Sequence, residues 1–390
     1  MAGSASNPRF HNPVDALTLA SSLRERVTVE DGAGVRAETD ALFKQMQQDR
    51  LVWAMAPVER GGLGASFSDM ARITARLARI SASLGLLYAM HASQAYTLLR
   101  HGAGSAHLEA LTDRLIADQA LVASGTSEKG VGGDVFGSTC VVEEHEGGVL
   151  SVTKESPNIS YMNHAGAVLV TAMQVTPQGR TQVLIAAETS RLVFEPGPEA
   201  QMMGLRGILN RPYSFTAQFA PGAVFSHDYP CIARDTMTPI VHVLWAAMWS
   251  GLAAQALVKA KSFVAKSPPG VEGCELMRIE LSRLVNKHYT MNALVREAAV
   301  DFYQSDLDDS PPLDLARTAN VKRLKVVCSE LLEEICMGAL GVIGFAAYAE
   351  RGKFSLSEII RDALSARVMI SNNRLLLANG PIERFIDDAL

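Results

Sequence analysis

The sequence lacks the features that would assign it to a nucleic-acid-binding, membrane or secreted class. It has no long basic run, and its net charge of −5 makes nucleic acid and anionic membranes poor candidates for the main partner. Its five cysteines form no CxxC pair and are odd in number, which argues against a disulfide framework and predicts reduced thiols in a cytoplasmic protein. Residues 1–14 are polar and contain proline, without the apolar core of a signal peptide.

Long hydrophobic runs are scarce as well. Residues 239–258 form one run that approaches the length of a membrane span, but it contains His242, Ser250 and Gln255 and stands alone. This pattern favours a helix buried inside a large helical domain over a membrane span. The sequence also shows no internal repeat and no low-complexity segment, and it predicts no metal site.

The elements that are present follow one another as helices, then strands, then helices. Residues 15–120 carry apolar side chains at three- and four-residue spacing, and His91 on one of these helices is predicted to be a hydrogen-bonded core histidine. Short runs rich in Val and Thr follow, at 140–142, 149–152, 167–172, 182–186 and 213–219. We therefore predict an α+β protein with an N-terminal helical domain (1–120), an antiparallel β-domain (121–228) and a C-terminal helical domain (229–390).

The segment 124–134 is the most distinctive stretch of the chain. Hydroxyl residues lead into a Gly-x-Gly-Gly turn that ends in Asp134, and glycines and hydroxyls can bring backbone N–H groups close to a bound anion or carbonyl. The segment stands between the helical N-terminal part and the strand-rich middle. Taken alone, it fits a solvent-exposed loop at least as well as a ligand site.

In sequence order, five landmarks resemble those of the acyl-CoA dehydrogenase family of flavoproteins. They are the Gly-Gly-x-Gly turn at 59–64, the Ser-Glu-Lys motif at 127–134, the segment 154–172, the turn at 203–207 with the strand end at 219–221, and the pair at 340–345 and 360–363. The resemblance implies two helical domains flanking a β-domain, with a C-terminal four-helix bundle. It also implies a flavin, FAD or alternatively FMN, between the β-domain and that bundle.

The resemblance assigns site residues position by position. The family threonines that contact the flavin fall on Ser127 and Ser160, both of which keep a hydroxyl, and the tryptophan that shields the flavin falls on Asn158. Gly341 falls in the cofactor-binding Leu-Gly-Gly turn, and the family serine that contacts the thioester falls on Gly133. Fixed hydroxyl and amide dipoles at the ring edge would stabilise a reduced flavin.

The chain departs from the family at the catalytic base. The two positions that carry the family's glutamate fall on Ile370 and Val241. His242 stands next to the second position, and a histidine on an apolar helix is a candidate general base, with a histidine bonded to a backbone carbonyl as the alternative. Asn372, Asn373 and Arg374 are predicted to orient a polar or anionic substrate, the alternative being a helix C-cap with an exposed arginine.

The half of the FAD site that crosses the subunit interface in the family also differs. The family's Arg-x-x-Phe-Gly falls on Ser267, Gly270 and Val271, and its glutamine falls on Gly338. Loss of such charge-assisted phosphate contacts lowers affinity. This loss has four possible consequences: altered FAD binding, FMN in place of FAD, a mixed oligomer that supplies the missing half, or no flavin.

The leading hypothesis is a flavin-dependent oxidoreductase that dehydrogenates an acyl thioester of CoA or a carrier protein, as a homodimer or homotetramer. An electron acceptor or a flavin reductase would be its other partner. One alternative is a flavin monooxygenase on the same fold, which needs no α-proton carboxylate. The other is a catalytically silent partner subunit of a heteromeric dehydrogenase.

Overall fold

The structure is a computed structural model that describes residues 13–28, 34–132, 134, 136–177, 179–266, 273–307 and 315–386. Within these residues the α-helices are α1 (Pro13–Ser22), α2 (Val35–Gln48), α3 (Phe67–Ala78), α4 (Ala82–His101), α5 (Ala106–Asp118), α6 (Tyr229–Ile232), α7 (Thr238–Val264), α8 (Cys274–Leu307), α9 (Leu315–Ile343), α10 (Phe345–Tyr348), α11 (Ser357–Ala363) and α12 (Asn372–Asn379). The strands are β1 (Leu121–Gly125), β2 (Glu143–Glu144), β3 (Leu150–Ser160), β4 (Ala165–Thr176), β5 (Gly179–Glu188), β6 (Leu192–Pro196) and β7 (Asn210–Phe219). The order of helices, sheet and helices is confirmed.

The strands form two sheets, with the orders β1-β4-β5 and β2-β3-β7-β6. The predicted antiparallel β-domain differs from the structure in one pair, because β1 runs parallel to β4. The run at 140–142 was predicted as a strand, but it contributes only an isolated bridge between Val141 and Met173. Antiparallel pairing holds in the remaining ladders of the described strands.

The chain divides into two compact units. The first contains residues 1–70, 90–200 and 208–237, and therefore joins N-terminal helices to both sheets. In this unit His91 is fully buried, accepts a hydrogen bond from the Val122 N–H at Nδ1, and donates from Nε2 to the Val52 carbonyl. Burial lowers the pKa of His91 to about 3, although the bond to Val52 acts in the opposite direction. The prediction of a hydrogen-bonded core histidine is confirmed.

The second unit contains residues 71–89, 201–207 and 238–390. Its centre is the set of long helices α7, α8 and α9, and α11 packs against α7 and α9 as a short fourth helix. The sequence predicts one last helix from Ser357 towards Asn373, but the structure divides this stretch into α11, a 3₁₀ turn and α12. Ile370 lies in the break with φ of 62°, a left-handed conformation that a β-branched residue rarely adopts and that no helix can continue through.

Helix α7 is apolar around most of its circumference, which is typical of a helix enclosed by protein. The helical stretch Tyr229–Val264 is the one stretch in the described part of the chain that is long and apolar enough to cross a membrane, and 83% of its most apolar window is buried inside the protein. The prediction of a buried helix is therefore confirmed, and α7 presents its side chains to neighbouring helices.

Candidate functional site

The Ser127 hydroxyl lies in a small hydrogen-bonded cluster at the end of β3. Its Oγ is 2.9 Å from Ser156 Oγ and 3.1 Å from the carbonyl oxygen of Asn158, to which Ser156 also donates at 3.2 Å. Ser127 is half-buried and Asn158 is exposed. Since the hydroxyl protons have acceptors within the cluster, lone pairs of Ser127 remain available to a ligand donor.

Ser160 belongs to the same edge of the sheet. It pairs with Asn210 across β3 and β7, and its hydroxyl donates to Asn210 Oδ1 at 2.7 Å, while Asn158 Nδ2 reaches the same oxygen at 3.4 Å. Between Ser156 and Ile159 the register shifts, because three steps along β3 face two steps along β7. This bulge contains Pro157, which has no N–H to give to the ladder, and it places Ser127, Asn158 and Ser160 together.

A buried ion pair holds the residue after Ser127 in place. Lys154 Nζ lies 3.1 Å from Glu128 Oε2, and the two side chains are 0% and 6% exposed. Lys154 also donates to the Thr171 carbonyl and hydroxyl at 2.8 and 2.9 Å. Burial raises the pKa of Glu128, but hydrogen bonds from Thr139 and Ser138 and the Lys154 charge outweigh this effect and bring the pKa to about 2.

Sequence reasoning missed Glu128 and Lys154 as positioning residues, although both lie in landmarks of the resemblance. The alternation of buried and exposed residues along β3 could have identified Lys154, because it lies on the buried face of the strand between Val152 and Ser156. A lysine on that face needs a buried anion as its partner. The ion pair ties the Ser127 loop to β3, so that the two landmarks form one piece of structure.

His242 lies in the second unit and is fully buried. Its Nδ1 is 3.2 Å from the carbonyl oxygen of Val321, which can only accept, so the proton of the neutral ring sits on Nδ1 and Nε2 carries a lone pair. Burial lowers the pKa of His242 to about 4, assisted by Lys325 and Lys322 and opposed by the bond to Val321. Both interpretations of this histidine, the candidate base and the residue bonded to a carbonyl, are thus compatible with the geometry.

The predicted substrate residues at 372–374 do not act alike. Asn372 is buried, whereas Asn373 and Arg374 are exposed. The three residues form the first turn of α12, so the alternative of a helix C-cap is wrong. The chain breaks at Ile370, and a new helix begins at Asn372. Only Asn373 and Arg374 are placed to meet a ligand from solvent.

A buried lysine that the sequence did not single out anchors this break. Lys325 of α9 donates to the carbonyls of Ala366 and Ile370 at 2.9 and 2.6 Å and to Asn372 Oδ1 at 2.7 Å. Asn372 in turn donates from Nδ2 to Ser329 Oγ at 2.9 Å. Lys325 therefore fixes the backbone at the position where the family glutamate would stand, and Asn372 is a member of this internal network.

Two further landmarks of the resemblance contact each other in the second unit. The Leu205 N–H, in the turn at 203–207, donates to Asp362 Oδ1 at 2.6 Å. Burial raises the pKa of Asp362 to about 7, and the bond from Leu205 acts against that rise. The role of this pair is to fasten the turn to α11.

The remaining predicted positions can be placed briefly. Gly341 is exposed in α9 and has open space where a side chain would project. Gly338, in contrast, lies against Leu284, whose Cδ2 would be 2.4 Å from an added Cβ. Gly133, Ser267, Gly270 and Val271 lie outside the described residues.

A cavity of about 440 Å³ lies between α7, α8 and α9. Its walls are mainly apolar, with Glu297, Asp301 and Arg317 among the charged residues, and Arg317 pairs with Asp301 at 3.3 Å. None of the predicted site residues that the structure describes lines this cavity. We therefore describe two separate candidate sites, the Ser127–Ser160 cluster in the first unit and the face of α7 that carries His242 in the second unit.

Comparison with known proteins agrees with this architecture. Residues 20–112 match the family model described as acyl-CoA dehydrogenase, N-terminal domain. Over 109 residues the chain is 30% identical to the mitochondrial isovaleryl-CoA dehydrogenase of Arabidopsis thaliana, covering 28% of this chain and 27% of that relative. The sequence match thus spans little more than a quarter of the curated relative, 27% of its length.

Solved structures are similar over nearly the whole chain. Butyryl-CoA dehydrogenase from Megasphaera elsdenii has a TM-score of 0.82 at 17% identity, covering 98% of this chain and 99% of that one. FMN-bound TdsC, a dibenzothiophene monooxygenase from Paenibacillus sp. A11-2, has a TM-score of 0.80 at 18% identity, covering 95% and 96%. The fold is therefore that of the acyl-CoA dehydrogenases. Residues 20–112 therefore match the N-terminal domain of the acyl-CoA dehydrogenases, and the chain resembles these proteins in fold over nearly its whole length.

Proposed function

We propose that the protein is a flavin-dependent oxidoreductase that acts on an acyl thioester. The observation that carries this proposal is the cluster of Ser127, Asn158 and Ser160, whose polar groups lie together at one edge of the β3–β7 ladder. The family places the flavin ring at these positions. Similarity to an isovaleryl-CoA dehydrogenase in the N-terminal region supports a thioester as the substrate.

The residues present fit a flavin ring edge. The Ser160 hydroxyl donates its hydrogen bond to Asn210 Oδ1, so its oxygen can accept from a ring N–H, and the exposed amide of Asn158 offers both a donor and an acceptor. When bound, the flavin would supply the two-electron acceptor of the reaction. We propose FAD as the flavin and FMN as the alternative, since Gly341 leaves open space where the family binds its cofactor.

The Ser160 hydroxyl should contribute directly to flavin affinity. We expect Ser160→Ala to weaken flavin binding by about fivefold, the effect of one hydrogen bond worth about 1 kcal/mol. Fluorescence titration of the flavin-free protein measures this change, with Ser214→Ala, an exposed serine of β7, as the matched control. Equal affinity in the two variants would remove Ser160 from the site.

His242 is the proposed proton acceptor, because neither family position of the glutamate carries a carboxylate here. Its Nε2 lone pair is available at neutral pH, and Val321 fixes the ring tautomer. Replacement of His242 by glutamine should lower the rate of flavin reduction by on the order of 10²-fold.

The pH dependence follows from the pKa of about 4 for His242, held there by burial and by Lys325 and Lys322. A lowered pKa keeps the imidazole neutral, and so competent as a base, at every pH above about 4. We therefore expect kcat/KM for anaerobic flavin reduction to be flat from pH 8 to pH 5, with its acid limb near pH 4. An acid limb near pH 6.5, the value of an unperturbed histidine, would contradict this assignment.

A flavin monooxygenase is the second candidate. The specific observation in its favour is Ile370, which stands at the usual glutamate position in a left-handed turn and offers no proton acceptor. Structural likeness to TdsC supports the same candidate at the level of the fold. Oxygen consumption that depends on added reduced flavin would distinguish it from a dehydrogenase.

The first experiment is the absorption spectrum of the purified protein, followed by identification of the flavin released on denaturation. Bound FAD with reduction by an acyl-CoA supports the thioester oxidoreductase, and FMN or binding of reduced flavin alone supports the monooxygenase. A colourless protein that binds neither FAD nor FMN would support the role of a catalytically silent partner subunit. We propose a cytoplasmic homodimer or homotetramer, which native mass measurement and fractionation test.

A further inference from the structure

One face of α7 carries a row of three aromatic rings. His242, Trp245 and Trp249 are spaced by three and four residues, which places them on the same side of the helix. The His242 and Trp245 rings stack with centroids 5.9 Å apart and an interplanar angle of 26°, and Trp249 follows at 6.3 Å. The rings are 0%, 6% and 0% exposed, so the row is buried.

Each ring holds a buried nitrogen that has no hydrogen-bond partner among the described residues: Nε2 of His242, Nε1 of Trp245 and Nε1 of Trp249. The contrast with Trp53 is direct, because its Nε1 donates to the Ala120 carbonyl at 2.8 Å. A buried polar atom without a hydrogen-bond partner lowers stability by about 1–3 kcal/mol. Native proteins therefore rarely contain several such atoms side by side unless a ligand or water bonds to them.

The first two unpaired atoms have opposite hydrogen-bonding character. The His242 Nδ1 proton is directed to Val321, which leaves Nε2 as an acceptor, whereas the Trp245 indole N–H can only donate. An acceptor and a donor on adjacent stacked rings match a group that offers a carbonyl oxygen beside an acidic C–H. That group is an enolisable carbonyl, such as a thioester or a ketone.

We infer that Trp245 is a catalytic residue whose indole N–H donates to the carbonyl oxygen of the substrate while His242 accepts the proton from the neighbouring carbon. This inference rests on the proposed function and identifies how the thioester would be held. The C–H bond breaks, its proton moves to His242 Nε2, and its electron pair passes into the enolate, whose negative oxygen is stabilised by the Trp245 hydrogen bond. Donors aimed at an oxygen that gains charge lower the barrier of such steps.

Trp245 and Trp249 differ in their surroundings. Trp245 is stacked directly on His242, whereas Trp249 lies one ring further along and under Lys325, whose Nζ is 5.7 Å from its ring. A carbonyl within reach of His242 therefore meets the Trp245 indole first. Trp249 serves as the matched control.

The protein contains three tryptophans, so its indole N–H groups can be observed individually. We would label the flavin-loaded full chain with ¹⁵N-tryptophan and assign the three indole signals with Trp53→Phe, Trp245→Phe and Trp249→Phe. Butyryl-CoA and its thioether analogue S-butyl-CoA, which lacks the carbonyl, are the two probes. We expect butyryl-CoA to move the Trp245 signal downfield and the thioether to leave it near its free position.

The outcomes separate this inference from the proposed function. A change in the flavin spectrum with both probes, but no carbonyl-dependent shift at Trp245, would overturn the role of Trp245 and leave the thioester function standing. If neither probe changes the flavin spectrum or any indole signal, the thioester function fails, and the inference fails with it.

A second measurement does not depend on the indole signal. The ¹³C resonance of the bound [1-¹³C]butyryl-CoA carbonyl should move upfield in Trp245→Phe relative to the native chain, because the lost hydrogen bond leaves the carbonyl less polarised. Trp249→Phe should retain the native value. Equal resonances in all three proteins would contradict the proposal.

Discussion

Replacement of Lys154 by methionine is expected to lower the free energy of unfolding by about 3–5 kcal/mol, the range for removing one partner of a buried ion pair. The Lys154 ammonium is fully buried, lies 3.1 Å from Glu128 and also donates hydrogen bonds to the carbonyl and hydroxyl oxygens of Thr171. Methionine fills the same space but leaves Glu128 without its counter-charge. Urea denaturation measures the loss, and flavin affinity should fall with it because Ser127 precedes Glu128.

The control for this experiment lies one residue from Glu128. Lys129 also forms an ion pair, with Glu155 at 3.2 Å, but the two side chains are 75% and 63% exposed. Solvent screens such a pair, so Lys129→Met should cost less than about 1 kcal/mol. Similar losses in the two variants would show that burial of the Glu128–Lys154 pair contributes nothing to stability.

Glycine to alanine should have opposite effects at two positions in long helices. At Gly251 of α7, an added Cβ would lie 2.1 Å from the Ala75 carbonyl oxygen and 2.9 Å from Ala78 Cβ, so the contact with α3 must open. We expect Gly251→Ala to cost about 3 kcal/mol, since overpacking against backbone outweighs the gain of about 1 kcal/mol that alanine brings to a helix. The midpoint of urea denaturation reports this loss.

Gly341 of α9 is the matched position, because an added Cβ there meets nothing within 4 Å in the described part of the chain. Gly341→Ala should therefore stabilise the flavin-free protein by up to about 1 kcal/mol. A drop in flavin affinity together with this gain would support Gly341 as a cofactor contact. Destabilisation of both variants to the same extent would contradict the packing argument.

The sequence predicted well those features that depend on neighbours along the chain. The order of helices and strands, the buried character of α7 and the role of His91 follow from local periodicity and from apolar surroundings, and all three are confirmed. The sequence did not predict the helix break at Ile370, because nothing in the neighbouring residues indicates a left-handed backbone conformation there. Lys325, from a helix more than forty residues earlier in the chain, holds that backbone through the carbonyl of Ile370.

The candidate site was predictable only as a set of positions. Ser127, Asn158 and Ser160 could be identified by resemblance, but their convergence depends on the β3 bulge and on the buried Glu128–Lys154 pair. The partnership of His242 with Trp245 was likewise invisible, although both lie on one predicted helix. A helical pattern shows which residues share a face, but it does not show which polar atoms on that face remain unpaired.

The sequence by itself determined the resemblance to the acyl-CoA dehydrogenases, the order of the elements and the residues at the two positions aligned with the family base, because each of these depends on residue identity and local spacing. Only the tertiary structure decided the parallel pairing of β1 with β4, the burial of Glu128 and Lys154 and the unpaired nitrogens of α7. These features arise from contacts between residues distant in sequence. Their energies depend on burial and geometry, which the one-dimensional pattern does not contain.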